Sequence, residues 1–259
     1  MSINIKISLV GINDSGKTSL ILGLYHLIQT GQIIISRAIS GNVKELGKLY
    51  EIIIKLNRGA KEKKFIETYK KLKNNLNKCV FPIKAENFVI NLIFRIFREN
   101  ELKIVDPLNM SKEIPDEAKS ILTEIGSANV LGLVVDPEPY YRRSIRTLLQ
   151  SRILTFVQVA LKRYIKIPRF PTIAIIIPKT DIYTEVKENP EDWLDKKDSL
   201  IIRHAKLYQN VVNIFPMQLY GENTEKYELI YYPRGKWIPH GITEFINFLI
   251  TEARRGIHG

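Results

Sequence analysis

The chain has 259 residues, of which 45% are hydrophobic and 25% are charged, a composition typical of a globular protein rather than a disordered or fibrous one. No apolar run approaches the roughly 18 residues that span a bilayer, and the single cysteine, Cys79, excludes an intrachain disulfide and a multi-cysteine metal site. The formal net charge of +12 favours an acidic partner, namely nucleic acid, an anionic membrane face or an acidic protein.

The first predicted elements are a strand, INIKISLV, and a helix, GKTSLILGLYHLIQT, whose apolar residues recur at helical spacing. A stretch at about 42–79 is interpreted as two helices inserted before the next strand. The segments NFVINLIFRIF and ELKIVDPL flank the polar turn RENE, a pattern typical of an antiparallel pair of strands.

The rest of the chain continues to alternate between predicted helices and predicted strands. We predict a helix over SKEIPDEAKSILTEIG ending at Gly126, buried strands over ANVLGLVVD and TIAIIIPKTD, one long basic helix between them, a strand in VVNIFPMQLYG and a closing helix over ITEFINFLITEARR. A basic, aromatic loop or hairpin lies at about 221–241. The prediction is one α/β domain over 1–259, a three-layer sandwich whose sheet is mostly parallel with one antiparallel strand, plus the helical insertion.

The most specific motif is the segment GINDSGKT, in which Gly11, Gly16, Lys17 and Thr18 satisfy GxxxxGK[ST] between a strand and a helix. Glycines let the backbone approach phosphate closely, so that amide groups and the helix N-terminus face the anion. Lys17 is expected to reach the β- and γ-phosphates and therefore to act in catalysis, and the Thr18 hydroxyl is expected to bind Mg²⁺. The loop residues predicted to bind nucleotide are Asn13, Asp14, Ser15, Gly16, Lys17, Thr18 and Ser19.

A second metal ligand is predicted in IVDPLN, where Asp106 ends the strand after the RENE turn. An aspartate at that point can hold Mg²⁺ opposite Thr18. The alternative is a carboxylate that only caps the following turn.

The segment IIIPKTDIY resembles the [NT]KxD motif of the Ras-like GTPases. The resemblance implies that Asp181 accepts hydrogen bonds from the guanine base and that Lys179 packs beside it, whereas adenine offers no matching donors. GINDSGKT resembles the phosphate loop of the signal-recognition-particle receptor β subunit and the Arf-like group, and LGLVVD, ending at Asp136, resembles the strand before their central helix. The alternative for KTD is an ordinary turn after a strand.

Several positions depart from the family pattern. Pro178 replaces the Asn or Thr of the base motif, and Asn109 stands at the glycine whose amide contacts the γ-phosphate, which makes Asn109 the second catalytic candidate. Met110 stands at the water-positioning glutamine, and a thioether cannot orient water. Gln218 and Leu219 occupy the late base-contacting loop, and we expect them to bind nucleotide through their backbone.

These patterns predict a Mg²⁺-dependent GTPase that binds GTP and GDP, hydrolyses GTP slowly and acts as a switch on a protein effector or with an activating partner. The alternatives are a guanine-nucleotide scaffold that does not cycle and a P-loop ATPase or kinase. An arginine that assists hydrolysis is expected from Arg37, Arg142 or Arg143, or from a partner.

The segment from Tyr140 to Thr180 contains no acidic residue and many basic ones. It predicts contact with a membrane face or nucleic acid, and the alternative is a solvated basic surface. We expect a cytoplasmic protein, because the first residues lack the pattern of a secretory signal, with a peripheral membrane location left open.

Overall fold

The computed structural model describes residues 2–36, 39–41, 43–56, 67–71, 75–85, 88–105, 114–209, 211–220, 224–227, 230–233 and 239–258. Its main sheet contains seven strands in the order β2-β3-β4-β1-β5-β6-β7. In chain order these are β1 Ser2–Val10, β2 Ser40–Gly41, β3 Lys78–Ala85, β4 Phe88–Ile96, β5 Val130–Val134, β6 Thr172–Ile177 and β7 Asn213–Pro216.

The sheet is mostly parallel. Strand β1 lies at its centre and pairs in parallel with β4 on one side and with β5 on the other, and β6 and β7 continue in the same direction. Only β3 runs against both of its neighbours, β2 and β4. The predicted mostly parallel sheet with one antiparallel strand is therefore confirmed.

Helices cover the sheet and connect its strands. They are α1 Lys17–Gln29, α2 Val43–Leu56, α3 Glu99–Ile104, α4 Asp116–Gly126, α5 Glu138–Tyr141, α6 Arg146–Tyr164, α7 Glu185–Glu188, α8 Pro190–Lys206 and α9 Ile242–His258. A separate antiparallel pair, β8 Thr224–Tyr227 and β9 Ile230–Pro233, forms the hairpin expected near 221–241. In the described part of the chain, no helix combines the length and the apolar character needed to cross a bilayer.

Two hydrophobic cores lie on opposite faces of the sheet. Successive residues of β6 alternate between them: Ala174 and Ile176 belong to the core beneath α1 and α9, whereas Ile173 and Ile175 belong to the core beneath α6 and α8. Side chains of a strand alternate between the faces of its sheet, so a strand buried on both faces is apolar throughout. This explains the continuous apolar sequence of β6.

The predicted hairpin around RENE is wrong. The strand NFVINLIFRIF instead pairs antiparallel with the preceding segment Lys78–Ala85, and the residues after it, Glu99–Ile104, form helix α3. The acidic side chains Glu99 and Glu101 lie in the first turn of α3, where they face the positive end of the helix dipole. The four residues predicted as a polar turn, 98–101, are therefore the cap and the first turn of a helix.

Two further differences concern helices. The long basic helix predicted from Tyr140 onward is interrupted, since α5 ends at Tyr141 and α6 begins at Arg146, with Arg143 between them at a φ of 47°. Helix α8 was not among the predicted elements. Its start follows the helix rules nonetheless, because the Asn189 side chain accepts a hydrogen bond from the Asp192 amide and Pro190 is the first helical residue.

Candidate functional site

The phosphate loop lies between β1 and α1, at the carboxyl edge of the sheet. Two of its residues have positive φ, Asp14 at 62° and Gly16 at 99°. A side chain at Gly16 would also bring its Cβ within 2.8 Å of the Pro178 ring, and one at Gly11 would bring it within 2.7 Å of the Val134 carbonyl oxygen. Both glycines of the motif are therefore required by close approach of the backbone to β5 and to the end of β6.

The first turn of α1 is open to an anion. Gly16, the residue that caps the helix, has no side chain that could accept a hydrogen bond from the first amides of α1. The left-handed backbone at Asp14 and Gly16 is typical of loops that form anion-binding concavities. Together with the positive end of the helix dipole, this geometry suits phosphate.

Lys17 is held across the loop. Its ammonium group donates to the carbonyl oxygens of Gly11 and Ile12, both at 2.6 Å, and to the Ser15 hydroxyl at 3.2 Å. The side chain is 7% exposed. Three fixed acceptors pre-orient this charge, which lowers the entropy lost when it meets an anion.

A cavity of about 190 Å³ opens beside the loop. Its lining combines the predicted phosphate-binding residues with four residues that the sequence did not indicate, Tyr69, Ile96, Arg98 and Asn100. The complete lining is Asn13, Asp14, Ser15, Gly16, Lys17, Thr18, Tyr69, Ile96, Arg98 and Asn100. The structure therefore brings the loop together with the carboxyl end of β4.

Two charged side chains brace the loop at Asn13. The Asn13 amide donates to Glu99 Oε2 at 2.9 Å, and the Asn13 carbonyl accepts from the Arg146 guanidinium. Burial alone would raise the pKa of Glu99, but hydrogen bonds from Lys103 and from the Asn13 amide, with the charges of Lys103 and Arg146, lower it overall. Glu99 is consequently ionised at neutral pH and fixes the loop to the start of α3.

Lys179 does not extend toward an open base site. Its ammonium donates to both carboxylate oxygens of Asp136, at 2.8 and 2.9 Å, and to Glu138 Oε2 at 3.2 Å, and the side chain is only 1% exposed. Burial raises the pKa of Asp136 although the Lys179 charge opposes that shift. In this conformation the Lys179 side chain presents almost no surface, and its expected contact with a base stays a prediction.

Asp181 is oriented by the late loop, and its Oδ1 atom is buried. Its Oδ2 atom accepts from the Tyr220 amide at 2.7 Å, and the side chain is half-buried. The turn before it is fixed by the Thr180 amide, which donates to the Met217 carbonyl at 3.1 Å. This anchoring gives Asp181 a defined direction, as a specificity group requires.

The late loop is held in place by backbone hydrogen bonds. The Gln218 amide donates to the His240 carbonyl at 3.2 Å and the His240 amide donates to the Gln218 carbonyl at 2.9 Å, and the expected contact of Gln218 with a nucleotide stays a prediction. Leu219 is 1% exposed and packs near Gly16. Tyr220, which the sequence did not single out, donates its amide to Asp181.

Ser19 joins three parts of the site. Its hydroxyl lies 2.9 Å from the Tyr220 hydroxyl and 3.3 Å from that of Tyr69, which belongs to the region of the predicted insertion. Burial raises the pKa of Tyr69 to about 12, so its phenol stays protonated at neutral pH. The Ser19 side chain therefore contacts these two tyrosines, and its predicted contact with a nucleotide stays a prediction.

Several predicted residues cannot be placed. Asp106, Asn109, Met110 and Arg37 lie outside the described residues, as does the middle of the insertion between 57 and 66. Of the other arginine candidates, Arg142 forms an ion pair with Glu138 at 3.0 Å and Arg143 occupies the bend before α6. Neither lines the cavity, whereas Arg98 does.

One sequence signal could have indicated Arg98. Glu101 stands three residues after it and accepts from its amide at 2.7 Å, as the third helical residue does in a capping box. The usual signature begins with Ser or Thr, and here the first position is Arg, so the pattern was not recognised.

The described residues offer few side chains that could bind a metal ion. The described ranges contain no group of three or more His, Cys, Asp or Glu side chains that could hold an ion by themselves. Thr18 lines the cavity and offers one hydroxyl oxygen. Mg²⁺ typically takes one or two protein ligands and completes its shell with phosphate oxygens and water, so a single hydroxyl at the phosphate loop fits that ion.

No family model matches the sequence, and no curated protein matches it. Solved structures do share its fold. The GTPase-like domain of S. cerevisiae Ski7, bound to GDP and inorganic phosphate, is 14% identical, with a TM-score of 0.50 over 96% of this chain and 50% of that chain. The fold is that of a GTPase-like domain.

Two further structures match more loosely. The Ski7 domain bound to GTP is 15% identical, with a TM-score of 0.48 over 96% of this chain and 50% of that one. Sup35 complexed with GDP is 13% identical, with a TM-score of 0.39 over 85% of this chain and 38% of that one. The chain thus spans about half the length of the Ski7 chains it matches, and the resemblance of its phosphate loop to the Arf-like group stays a prediction.

Proposed function

We propose that this chain is one guanine-nucleotide-binding domain over 1–259 that binds GTP and GDP with Mg²⁺ and hydrolyses GTP slowly as a switch. The observation that carries the proposal is the position of Lys17, whose ammonium is fixed by Gly11, Ile12 and Ser15 at the wall of the 190 Å³ cavity. A cation, uncapped helix amides and a concave backbone converge there, and polyphosphate satisfies all three. The Ski7 domain with the same fold was solved with GDP and inorganic phosphate, which supports the same ligand class.

The preference for guanine rests on Asp181. A carboxylate held by the Tyr220 amide at 2.7 Å presents an acceptor in a fixed direction, and guanine offers two adjacent N–H donors on one edge. Adenine offers no such pair, so the same carboxylate discriminates between the bases. Lys179 contributes indirectly in this proposal, since its ion pair with Asp136 fixes the turn that carries Asp181.

Slow hydrolysis is expected because Met110 supplies no group that could orient the attacking water. Mg²⁺ would be held by Thr18, with Asp106 as the proposed second ligand, and would neutralise charge on the phosphates. The alternatives, a non-cycling scaffold and an ATPase or kinase, keep the phosphate loop and differ in turnover and in the base. An effector or activating partner and an anionic surface stay predictions.

The test is displacement of a fluorescent nucleotide by GTP, GDP and ATP, with and without Mg²⁺, followed by measurement of GDP released from GTP. We expect guanine nucleotides to displace the probe far better than ATP, and GDP to appear slowly. Lys17→Ala should abolish binding, whereas Lys196→Ala, an exposed lysine on α8, should not change it. Preference for ATP would contradict the guanine assignment, and binding retained in Lys17→Ala would contradict the phosphate-loop assignment.

A further inference from the structure

We infer that Arg98 binds the β- and γ-phosphates of the nucleotide together with Lys17, so that the site retains nucleotide when divalent cations are removed. The inference rests on the proposed function. It adds a protein cation to the phosphate site, whereas P-loop NTPases use a carboxylate that holds Mg²⁺.

The position of Arg98 follows from strand register. Strand β4 pairs in parallel with β1, with Leu9 opposite Ile96, and the Phe97 amide donates to the Leu9 carbonyl at 3.0 Å. Because parallel strands end at the same edge of a sheet, the residue after Phe97 lies beside the start of the phosphate loop. That residue is Arg98, and it lines the cavity with Lys17 and Thr18.

The backbone at Arg98 is anchored, whereas its side chain is exposed. Its amide donates to Glu101 Oε2 at 2.7 Å, its φ and ψ of −86° and 155° are extended, and α3 begins at the next residue. Such an anchored start limits where the guanidinium can reach, which is the preorganisation that phosphate binding requires. A guanidinium also presents several N–H donors in a plane, a geometry that matches phosphate oxygens.

The neighbouring carboxylates do not supply the metal ligand instead. Glu99 accepts from the Asn13 amide and pairs with Lys103 at 2.8 Å, and Glu101 pairs with Arg95 at 2.6 Å. Both acids at the start of α3 are therefore engaged with other cations or with the loop. At this strand end the described residues offer the cavity a positive charge from Arg98.

A cation fixed by the protein changes how the site depends on Mg²⁺. Nucleotide phosphates need compensation of their charge, and in P-loop NTPases the metal ion provides a large share of it. Here Lys17 and Arg98 both line the phosphate cavity. Removal of Mg²⁺ should therefore weaken binding only modestly, by less than about tenfold, because Lys17 and Arg98 still offer charge-assisted hydrogen bonds to the phosphates.

The experiment measures the affinity of the full chain for GTP, GDP, GMP and ATP in Mg²⁺ and in EDTA. For Arg98→Ala we expect a loss of about ten- to hundredfold for GTP and GDP in EDTA, with a smaller loss in Mg²⁺. GMP should bind Arg98→Ala as well as it binds the unchanged protein, because it lacks both distal phosphates. Arg98→Lys should restore part of the affinity, and Arg163→Ala, an exposed arginine near the end of α6, is the charge-matched control.

The outcomes separate the two proposals. If the unchanged protein binds GTP and Arg98→Ala binds it equally well in EDTA, the role of Arg98 is wrong while nucleotide binding stands. If ATP and GTP bind equally and both depend on Arg98, the guanine assignment is wrong while the role of Arg98 stands. If neither nucleotide binds, both are wrong. Thermal unfolding of each variant, compared with that of Arg163→Ala, shows whether a loss of affinity reflects unfolding. If Arg98→Ala unfolds, the affinity of Arg98→Lys for GTP in EDTA tests the role of Arg98.

Discussion

The hydroxyl of Ser19, in the first turn of α1, lies 2.9 Å from the hydroxyl of Tyr220, in the loop after β7. The same Tyr220 donates its amide to Asp181. One residue therefore connects the phosphate loop with the proposed base-reading carboxylate, through its side chain on one side and its backbone on the other. Substitution of the Tyr220 side chain therefore removes the bond to Ser19 and leaves the backbone bond to Asp181 in place.

Tyr220→Phe should lower the free energy of unfolding by about 1 kcal/mol, because it removes one buried hydrogen bond while the backbone bond to Asp181 remains. A double-mutant cycle with Ser19→Ala, measured by urea unfolding, should give a coupling energy of about 0.5 kcal/mol or more. Selectivity for guanine should not change. Additive losses in the cycle would show that the two hydroxyls do not interact.

Asp181→Asn should weaken GTP binding about ten- to hundredfold, because a charged acceptor for the guanine N–H donors is replaced by a neutral amide. Xanthine nucleotides should bind the variant better than the unchanged protein, since the new amide donates to the carbonyl at C2. Displacement titrations with GTP and XTP measure both effects, and Asp195→Asn, on the exposed face of α8, is the control. An equal loss for GTP and XTP would contradict base reading by Asp181.

Lys179→Met should lower the free energy of unfolding by about 3–5 kcal/mol, because it leaves the buried carboxylate of Asp136 without its cation, whereas Glu138 keeps its ion pair with Arg142. Lys206 and Glu191 provide a matched control. They form a pair of the same 2.8 Å length, but with side chains 51% and 55% exposed, and solvent screens exposed charges. Urea unfolding of Lys206→Met should show little change, and similar losses in the two variants would contradict the dependence on burial.

Glu99→Gln tests the charge that braces the loop at Asn13. The folded state lowers the pKa of Glu99 below the ordinary 4.5, so this carboxylate stabilises the fold above the unfolded-state pKa, and the contribution disappears as the pH falls through the folded-state value. The unchanged protein should therefore be more stable than Glu99→Gln at pH 7, and the two should converge below the usual glutamate range.

Thermal unfolding between pH 3 and pH 7 (roughly the window around a glutamate pKa) measures this difference. Glu117→Gln, an exposed position in the first turn of α4, is the comparison. A stability difference for Glu99→Gln that does not vary with pH would mean that the side chain acts by its shape and not by its charge.

The sequence determined the parts of this protein that depend on nearby residues. The phosphate loop could be predicted because Gly11, Gly16, Lys17 and Thr18 form one short motif between a strand and a helix. Strands β5 and β6 could be predicted because burial on both faces leaves a continuous apolar run. Asp181 could be proposed because it belongs to a short motif at a strand end. Each of these signals lies within about ten residues.

The tertiary structure decided which distant residues meet. Strand β4 pairs with β3 and β1, and so Arg98, read in sequence as part of a polar turn, lies at the phosphate cavity. Lys179 reaches Asp136 rather than an open site. Strand neighbours and buried ion pairs are selected by packing and by the cost of burying an unpaired charge, and these energies depend on residues tens of positions apart.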